Sequence, residues 1–303
     1  MRANGKHARS AAFALALSGL IAALAPPAAL PSYAQAAVQP AAGAPDIKRL
    51  WAAQPALVDR ELATLTARRA GRTNVYAIAV AADGRQAIFA REARLALKIA
   101  GARFGRAFRG GALLSNDSAD LFARPIAGND TLARAAKGLA ARMDPARDIA
   151  FVYLTSHGSP EAWLATELPG DLAMPPIAAA TLASTLDDAG IKRRVIVVSA
   201  CFSGSWIPAL ANDDTIVIAA AARCRSSFGC ADRRRLTFFG QAFLEGPLAR
   251  GGSLQAGFEA ARKSVAVWEK QQGLRPSSPQ VHVGANMRAF WSEANFDAES
   301  RSD

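Results

Sequence analysis

The segment "RVIVVSACFSGS" (residues 194–205) has a cysteine where an apolar run ends and a turn of small residues begins. Near-continuous apolar runs of this kind are typical of strands that are buried on both faces of a parallel sheet. Two interpretations of Cys201 are therefore open. It is either a buried residue at the end of a strand or a nucleophile at the mouth of a site.

A second segment, "DIAFVYLTSHGS" (148–159), has the same form and leads into His157. Further strands are predicted at 111–116, 215–221, 279–284 and "TNVYAIAVAADG" (73–84), whose Asp83-Gly84 is interpreted as a turn. Helices are predicted at 47–69, 85–105, 129–143, 176–189, 236–250, 253–272 and 286–293, with Asn129 or Asp130 as the N-cap of the third. This alternation predicts an α/β fold with a mainly parallel central sheet flanked by helices.

The chemistry is expected beyond the carboxyl ends of the strands, where sites collect in open α/β sheets. If the two strands are neighbours, His157 and Cys201 emerge side by side. An imidazole favours the thiolate of a nearby cysteine and can give a proton to a leaving amine. The amides of Gly158 and Cys201 are candidates for binding an oxyanion. Each residue alone also fits a structural role, but the pair favours catalysis.

Three segments, "YLTSHGS" (153–159), "VIVVSACFSGS" (195–205) and "TIVIAAAARCRSSFGCAD" (215–232), resemble peptidase family C13, the legumain family of the caspase-like clan. The resemblance covers residues 73–284. It implies a caspase-like three-layer α/β sandwich and a dyad of His157 as acid/base and Cys201 as nucleophile. It also implies a peptide or protein substrate and no metal or organic cofactor. Family members include asparaginyl endopeptidases and the catalytic subunit of the GPI-anchor transamidase.

Two positions depart from the family pattern. Plant and animal legumains carry "NHG" at the histidine and an acidic residue directly after the cysteine, where this chain has Ser156 and Phe202. Asparagine specificity is therefore not assumed. The family's other pocket elements fall near five substrate-binding candidates, Arg85, Gln86, Ser226, Ser227 and Asp232. Asp232 in the pocket would suit a basic or amide side chain, but its arginine neighbours at 233–235 also fit a solvated ion pair.

The first 36 residues are predicted to be a secretory signal. Basic residues precede an apolar stretch at 11–25, and Ala34 and Ala36 have the spacing that signal peptidase accepts. The alternative, an uncleaved anchor, is disfavoured because a membrane span needs about 20 apolar residues. The predicted organisation is a signal peptide at 1–36, a lead-in and N-terminal helix at 37–72, a peptidase domain at 73–294 and a loose tail at 295–303. We expect a secreted, periplasmic protein without stable membrane insertion after cleavage.

Charge and cysteine usage limit the other classes of function. The formal net charge is +11, and removing the leader's three basic residues leaves +8. Because the arginines are dispersed and no basic patch is interleaved with aromatics, nucleic-acid binding is not expected.

Cys224 and Cys230 are too few for a structural zinc site, which leaves a disulfide or two unreactive thiols. His282 alternates with apolar residues and is expected to be structural.

The sequence thus predicts a cysteine endopeptidase that forms a thioester with its substrate. Two alternatives stay open. A transpeptidase or transamidase would use the same dyad, with an amine in place of water. A non-catalytic binding protein would keep the fold and carry the dyad as a relic.

Overall fold

A six-stranded sheet organises the residues that the computed structural model describes, 46–230 and 233–294. In this part of the chain the strands are β1 (Val75–Ala81), β2 (Phe108–Ser115), β3 (Ile149–Thr155), β4 (Trp163–Leu164), β5 (Glu167–Leu168), β6 (Leu172–Ala173), β7 (Ile177–Ala178), β8 (Arg193–Ser199), β9 (Thr215–Ala219) and β10 (Gln280–Val283). The order in the main sheet is β10-β9-β8-β3-β1-β2, and the first pair is antiparallel while the other four are parallel. The predicted mainly parallel sheet is confirmed. The predicted signal peptide, the lead-in before residue 46 and the tail at 295–303 lie outside the described residues.

Helices cover both faces of this sheet. They are α1 (Ile47–Ala63), α2 (Ala87–Phe104), α3 (Asn129–Ala140), α4 (Ala179–Asp188), α5 (Ile207–Leu210), α6 (Phe238–Leu244), α7 (Leu254–Gln271) and α8 (Arg288–Ser292), with 3₁₀ turns at Gly105–Ala107, Ser203–Trp206, Pro247–Arg250 and Ala285–Met287. One hydrophobic core joins α2, α6, α7 and α8 to one face, and a second joins α1, α3, α4 and α5 to the other. The result is the three-layer α/β arrangement that the sequence predicts.

The strands are buried on both faces because successive side chains point in opposite directions. In β8, Val195 and Val197 belong to the first core, whereas Ile196 and Val198 belong to the second. This explains why the predicted strands have near-continuous apolar runs and no polar alternation.

The segment 160–178 contains short strands that the sequence did not predict. β4 pairs with β7 and β5 pairs with β6, each antiparallel and two residues long. Strands this short cannot display a period-2 pattern. The β5–β6 turn has Gly170 and Asp171 at φ angles of 82° and 57°, a region that glycine and aspartate enter more readily than most residues. An isolated bridge joins Glu167 of β5 to Asp83 and so ties this segment to the end of β1.

The predicted N-cap of α3 is wrong. The helix begins at Asn129 and Gly128 is its N-cap. The Thr131 hydroxyl lies 2.6 Å from the carbonyl oxygen of Ile126 and accepts a 3.2 Å hydrogen bond from the Gly128 amide. Thr131, the third residue of the helix, therefore binds the backbone before the helix in place of a polar cap side chain. The helix begins one residue earlier than it would with Asn129 as its N-cap.

Helix α1 packs beside α3 and is tied to the edge strand β2 by Glu61, which is only 4% exposed. One carboxylate oxygen of Glu61 accepts a 2.9 Å hydrogen bond from the Leu113 amide, and the other pairs with Arg124. Within residues 46–230 and 233–294, no helix has both the length and the apolar character needed to cross a membrane.

Candidate active site

The two residues of the predicted dyad follow neighbouring strands in register. β3 and β8 are parallel, and Thr155 pairs with Ser199 at their carboxyl ends. His157 and Cys201 each come two residues later. The adjacency expected from the sequence is therefore present, and its cause is the register of the sheet.

Both side chains line one narrow pocket, whose accessible volume is about 10 Å³. Its lining residues are Phe89, Ser156, His157, Ser199, Ala200, Cys201, Ser227, Phe228, Cys230 and Thr237. The pocket lies at the carboxyl edge of β3 and β8.

The sulfur of Cys201 contacts the backbone of Ser227. The thiol donates to the Ser227 carbonyl oxygen, and the Ser227 amide donates to the sulfur, both at 3.3 Å. Phe202, directly after the cysteine, has a φ of 55° and donates its amide to the Arg225 carbonyl at 2.7 Å. This left-handed conformation is sparsely populated by aromatic residues.

Gly158 brings the histidine loop against the cysteine loop. A Cβ atom at this position would lie 2.2 Å from the carbonyl oxygen of Cys201 and 3.0 Å from the Ala200 Cβ. The loops can therefore approach this closely only with glycine at 158. Among the described residues, the amides of Gly158 and Cys201 donate to no protein acceptor, so both are available to a ligand.

His157 is held between a carboxylate and an aromatic ring. Its Nε2 lies 3.9 Å from Asp83 Oδ2, and its ring meets Phe89 edge-on with 5.2 Å between centroids. The imidazole is 36% exposed, whereas the Asp83 side chain is fully buried. The histidine thus has one face in the protein and one toward the pocket.

The sequence does not identify Asp83 as a site residue, because Asp-Gly after a strand is typical of a turn. β1 is the other neighbour of β3, and its Ala81 pairs with Thr155. Asp83 stands two residues beyond Ala81, which is the position of His157 on its own strand. The rule that identified His157, a polar residue directly beyond an apolar parallel strand, could have found Asp83 as well.

Arg85 forms ion pairs with two carboxylates. Its guanidinium contacts Asp83 Oδ2 at 2.9 Å and Glu167 Oε2 at 2.7 Å. The hydrogen bond to Asp83, together with the charges of Asp83 and Glu167, raises the pKa of Arg85 above its ordinary value. Arg85, which the sequence predicts to bind substrate, is 43% exposed, and its guanidinium is paired with two carboxylates.

The remaining substrate-binding candidates are in different places. Ser227 lines the pocket and contacts the sulfur. Ser226 is exposed, and Gln86 is half-buried with its side-chain oxygen lacking a hydrogen-bond partner. Neither of these two, nor Arg85, is among the described residues that line the pocket. Asp232 lies outside the described residues.

The other cysteines and the second histidine have the ordinary roles weighed above. Cys224 is exposed and Cys230 lines the pocket, and the two are not joined by a disulfide. His282 Nε2 lies 3.1 Å from the Asn212 carbonyl oxygen, as expected for a structural histidine. Over the described ranges, no cluster of three or more His, Cys, Asp or Glu could hold a metal ion.

Comparison with known proteins identifies a family for this chain. No curated protein matches the chain. Among solved structures, the crystal structure of caspase-1 from Spodoptera frugiperda aligns at 13% identity over 72% of this chain and 89% of that chain, with a TM-score of 0.47. A model of the peptidase C13 family matches residues 116–289, more than half of the chain. That match includes His157 and Cys201 and begins after the segment with Asp83 and Arg85. The chain belongs to the peptidase C13 family.

Proposed function

We propose that the protein is a cysteine endopeptidase in which Cys201 is the nucleophile and His157 the acid/base. The observation that carries the proposal is the in-register pair of strands, which sets both residues at one edge of one pocket. Membership of the C13 family supports a cysteine-peptidase function and a peptide or protein substrate. No cofactor is needed, because sulfur supplies the nucleophile and imidazole transfers the protons.

In the proposed acylation step Cys201 is the nucleophile and His157 the proton donor. The Cys201 thiolate attacks the scissile carbonyl carbon, and the electron pair of the C=O bond moves to oxygen. The amides of Gly158 and Cys201 bind that oxyanion. As the C–N bond breaks, the His157 imidazolium gives its proton to the departing amine, which leaves the acyl group on sulfur as a thioester.

Deacylation reverses the proton transfer. His157 takes a proton from water, the resulting hydroxide attacks the thioester carbonyl, and the C–S bond breaks to give a carboxylic acid and the Cys201 thiolate. An amine in place of water would form a new amide bond, which is the transpeptidase alternative. Asp83 is a positioning residue in this scheme, because its buried carboxylate lies beside the imidazole.

The test is to incubate the purified protein with a proteome-derived peptide library and identify new peptide termini and junctions by mass spectrometry. Cys201→Ala is the inactive variant, and Cys224→Ala, which removes an exposed thiol outside the pocket, is the matched control. We expect new termini with the intact protein and the control but not with Cys201→Ala. New junctions would identify the transpeptidase. If the intact protein gives no new termini or junctions and its Cys201 thiol does not react with iodoacetamide, the proposal is contradicted and a binding protein is favoured.

Export is a separate part of the proposal and rests on the leader alone. We propose that residues 1–36 are removed and that the mature protein acts in the periplasm. N-terminal sequencing of protein recovered from periplasmic and cytoplasmic fractions tests this. A start at residue 37 in the periplasmic fraction is expected, and an intact leader on cytoplasmic protein would contradict it.

A further inference from the structure

Two cysteine side chains line the narrow pocket of the candidate active site. Cys201 is the proposed nucleophile, and Cys230 is a second cysteine to which the proposed mechanism gives no role. The accessible volume of the pocket, about 10 Å³, is roughly the space of one water molecule. The two cysteines therefore border one confined space, whereas Cys224 is exposed and is not among the described residues that line it.

The loop that carries Cys230 is held against Cys201 by the hydrogen bonds between Ser227 and the sulfur, both 3.3 Å long. Cys230 comes three positions after Ser227, so their Cα atoms are at most about 11 Å apart. Between them Gly229 has a φ of 88°, and a Cβ atom there would lie 2.8 Å from the Phe238 amide nitrogen. This left-handed glycine bends the chain, so the end of the loop returns to the pocket.

The polar groups behind the pocket are engaged in a buried network. Glu92 on α2 is 0% exposed and accepts hydrogen bonds from the Tyr153 hydroxyl at 2.9 Å and from the Thr237 hydroxyl at 2.7 Å. The Ser199 hydroxyl is buried and lies 3.3 Å from the Thr237 hydroxyl oxygen. Of the described side chains that line the pocket, the reactive ones are therefore the His157 imidazole and the two thiols.

We infer that Cys230 is a resolving cysteine, which forms a reversible disulfide with Cys201 when a hydroperoxide oxidises the nucleophile. A resolving cysteine is a second thiol that captures an oxidised cysteine before it is oxidised further. The oxidant is a hydroperoxide small enough to enter so narrow a pocket, such as hydrogen peroxide. The inference rests on the proposed function only in using a reactive Cys201 thiolate. On the proposed export the protein works in an oxidising compartment, where disulfides persist.

The reaction has two steps. In the first, the Cys201 thiolate attacks one oxygen of the hydroperoxide, the O–O bond breaks, and the departing oxygen takes the proton of the His157 imidazolium and leaves as water or an alcohol. Cys201 is then a sulfenic acid. In the second, the Cys230 sulfur attacks the Cys201 sulfur, the S–O bond breaks, and the hydroxyl group leaves as water with the thiol proton. Two thiols are oxidised to one disulfide, and one hydroperoxide is reduced.

The disulfide switches off the peptidase and preserves its nucleophile. A Cys201 sulfur bonded to Cys230 cannot attack a carbonyl carbon. A dithiol such as dithiothreitol reverses the bond, because its first thiolate attacks the disulfide and its second closes the oxidised reagent, which leaves two protein thiols. Without Cys230, the sulfenic acid is open to further oxidation to a sulfinic acid, which dithiothreitol does not reduce.

The test treats the purified, reduced protein with hydrogen peroxide, blocks the remaining thiols with iodoacetamide and identifies disulfides by mass spectrometry of an unreduced tryptic digest. Arg223 and Arg225 divide the three cysteines among separate tryptic peptides, at 195–223, 224–225 and 226–233. We expect a link between the first and the last of these peptides in the wild type and in the matched control Cys224→Ala.

This digest needs no peptidase activity, so the two proposals fail separately. A wild-type digest without the link between Cys201 and Cys230 would overturn the inference, whether Cys201 is oxidised, joined to Cys224 or unchanged. A protein that forms the link but cleaves no peptide would bear out the inference and contradict the proposed function alone.

Peptidase activity gives a second measurement, on the best peptide found in the library. It is measured in each variant before peroxide, after peroxide and after dithiothreitol, relative to that variant's own starting rate. In the wild type and Cys224→Ala, peroxide should abolish cleavage and dithiothreitol should restore most of it. In Cys230→Ser, dithiothreitol should restore little. Equal recovery in Cys230→Ser and the wild type would overturn the inference. If Cys230→Ser does not fold, the wild-type digest alone decides.

Discussion

Asp83 Oδ2 lies 3.9 Å from His157 Nε2, and the two residues follow neighbouring strands at equivalent positions. A buried carboxylate beside an imidazole orients the ring. Asp83→Asn retains an acceptor but removes the charge, so we expect kcat/KM to fall about 10²-fold with little change in KM. The measurement is steady-state kinetics on the best peptide found in the library.

The control for that prediction is Asp117→Asn. Asp117 is also a buried carboxylate two residues beyond a strand of the same sheet, but on the edge strand β2. Its Oδ1 accepts from the Ala119 amide. The Asp117→Asn variant should be less stable than the wild type, but its kcat should stay unchanged while it is folded. Equal losses of kcat in Asp83→Asn and Asp117→Asn would show that Asp83 has no specific role in the mechanism.

Arg85 is expected to contribute more to stability than to substrate binding. Arg85→Met leaves the buried Asp83 without its cation, which should lower the free energy of unfolding by about 1–2 kcal/mol, a value reduced because the guanidinium is half-exposed. Urea unfolding monitored by fluorescence measures this. Arg134→Met, which breaks an exposed pair with Asp59, should change stability by less than about 0.5 kcal/mol. A large rise in KM with unchanged stability would restore the substrate-binding role predicted from the sequence.

Gly158 should not tolerate a side chain. In Gly158→Ala the new methyl group would lie 2.2 Å from the Cys201 carbonyl oxygen, so the two loops must separate. We expect the free energy of unfolding to fall by about 1–3 kcal/mol and most of the activity to be lost. Gly101→Ala on α2 is the matched change, because its Cβ would meet only the Phe108 ring at 3.5 Å, and it should stabilise the helix by about 0.5–1 kcal/mol. Full activity in a stable Gly158→Ala variant would argue against the close approach.

Tyr153 is expected to make the free energy of unfolding fall as pH rises into the alkaline range. Burial and then the charge of Glu92 raise the pKa of Tyr153 well above its ordinary value. Above pH 10 the unfolded chain loses this proton before the folded chain does, so the folded state binds more protons and stability falls as pH rises. Below pH 10 the contribution is fully present.

Tyr153→Phe separates the two effects. At pH 8 it should cost about 1.5–3 kcal/mol for the lost hydrogen bond to a carboxylate, but its stability should fall less steeply between pH 9 and pH 11 than that of the wild type. Urea unfolding at several pH values gives both quantities. Parallel pH curves for the two proteins would contradict the assignment.

The sequence predicts the layers and the dyad for one physical reason. In a parallel sheet buried on both faces, each strand is an apolar run and each site residue comes directly after one. That reasoning found the positions of His157 and Cys201, which follow β3 and β8. It did not find Asp83, because the turn-forming dipeptide Asp-Gly concealed a carboxylate that contacts a histidine 74 residues away.

Glu92 shows a second limit of the sequence. It lies in a helix that the sequence predicts at 85–105, but a glutamate in a sequence gives no sign of being buried. Its partners Tyr153 and Thr237 come from β3 and from the start of α6. The network depends on how these elements pack, and the periodicity of a single segment contains no information about that packing.

The common register of β1, β3 and β8 also affects how activity arises in a newly made chain. Asp83, His157 and Cys201 are separated by 74 and 44 residues, and only parallel pairing, which forms slowly because it closes long loops, brings them together. A partly folded chain therefore contains a cysteine but no assembled dyad. The protein is expected to remain proteolytically silent until its sheet is complete.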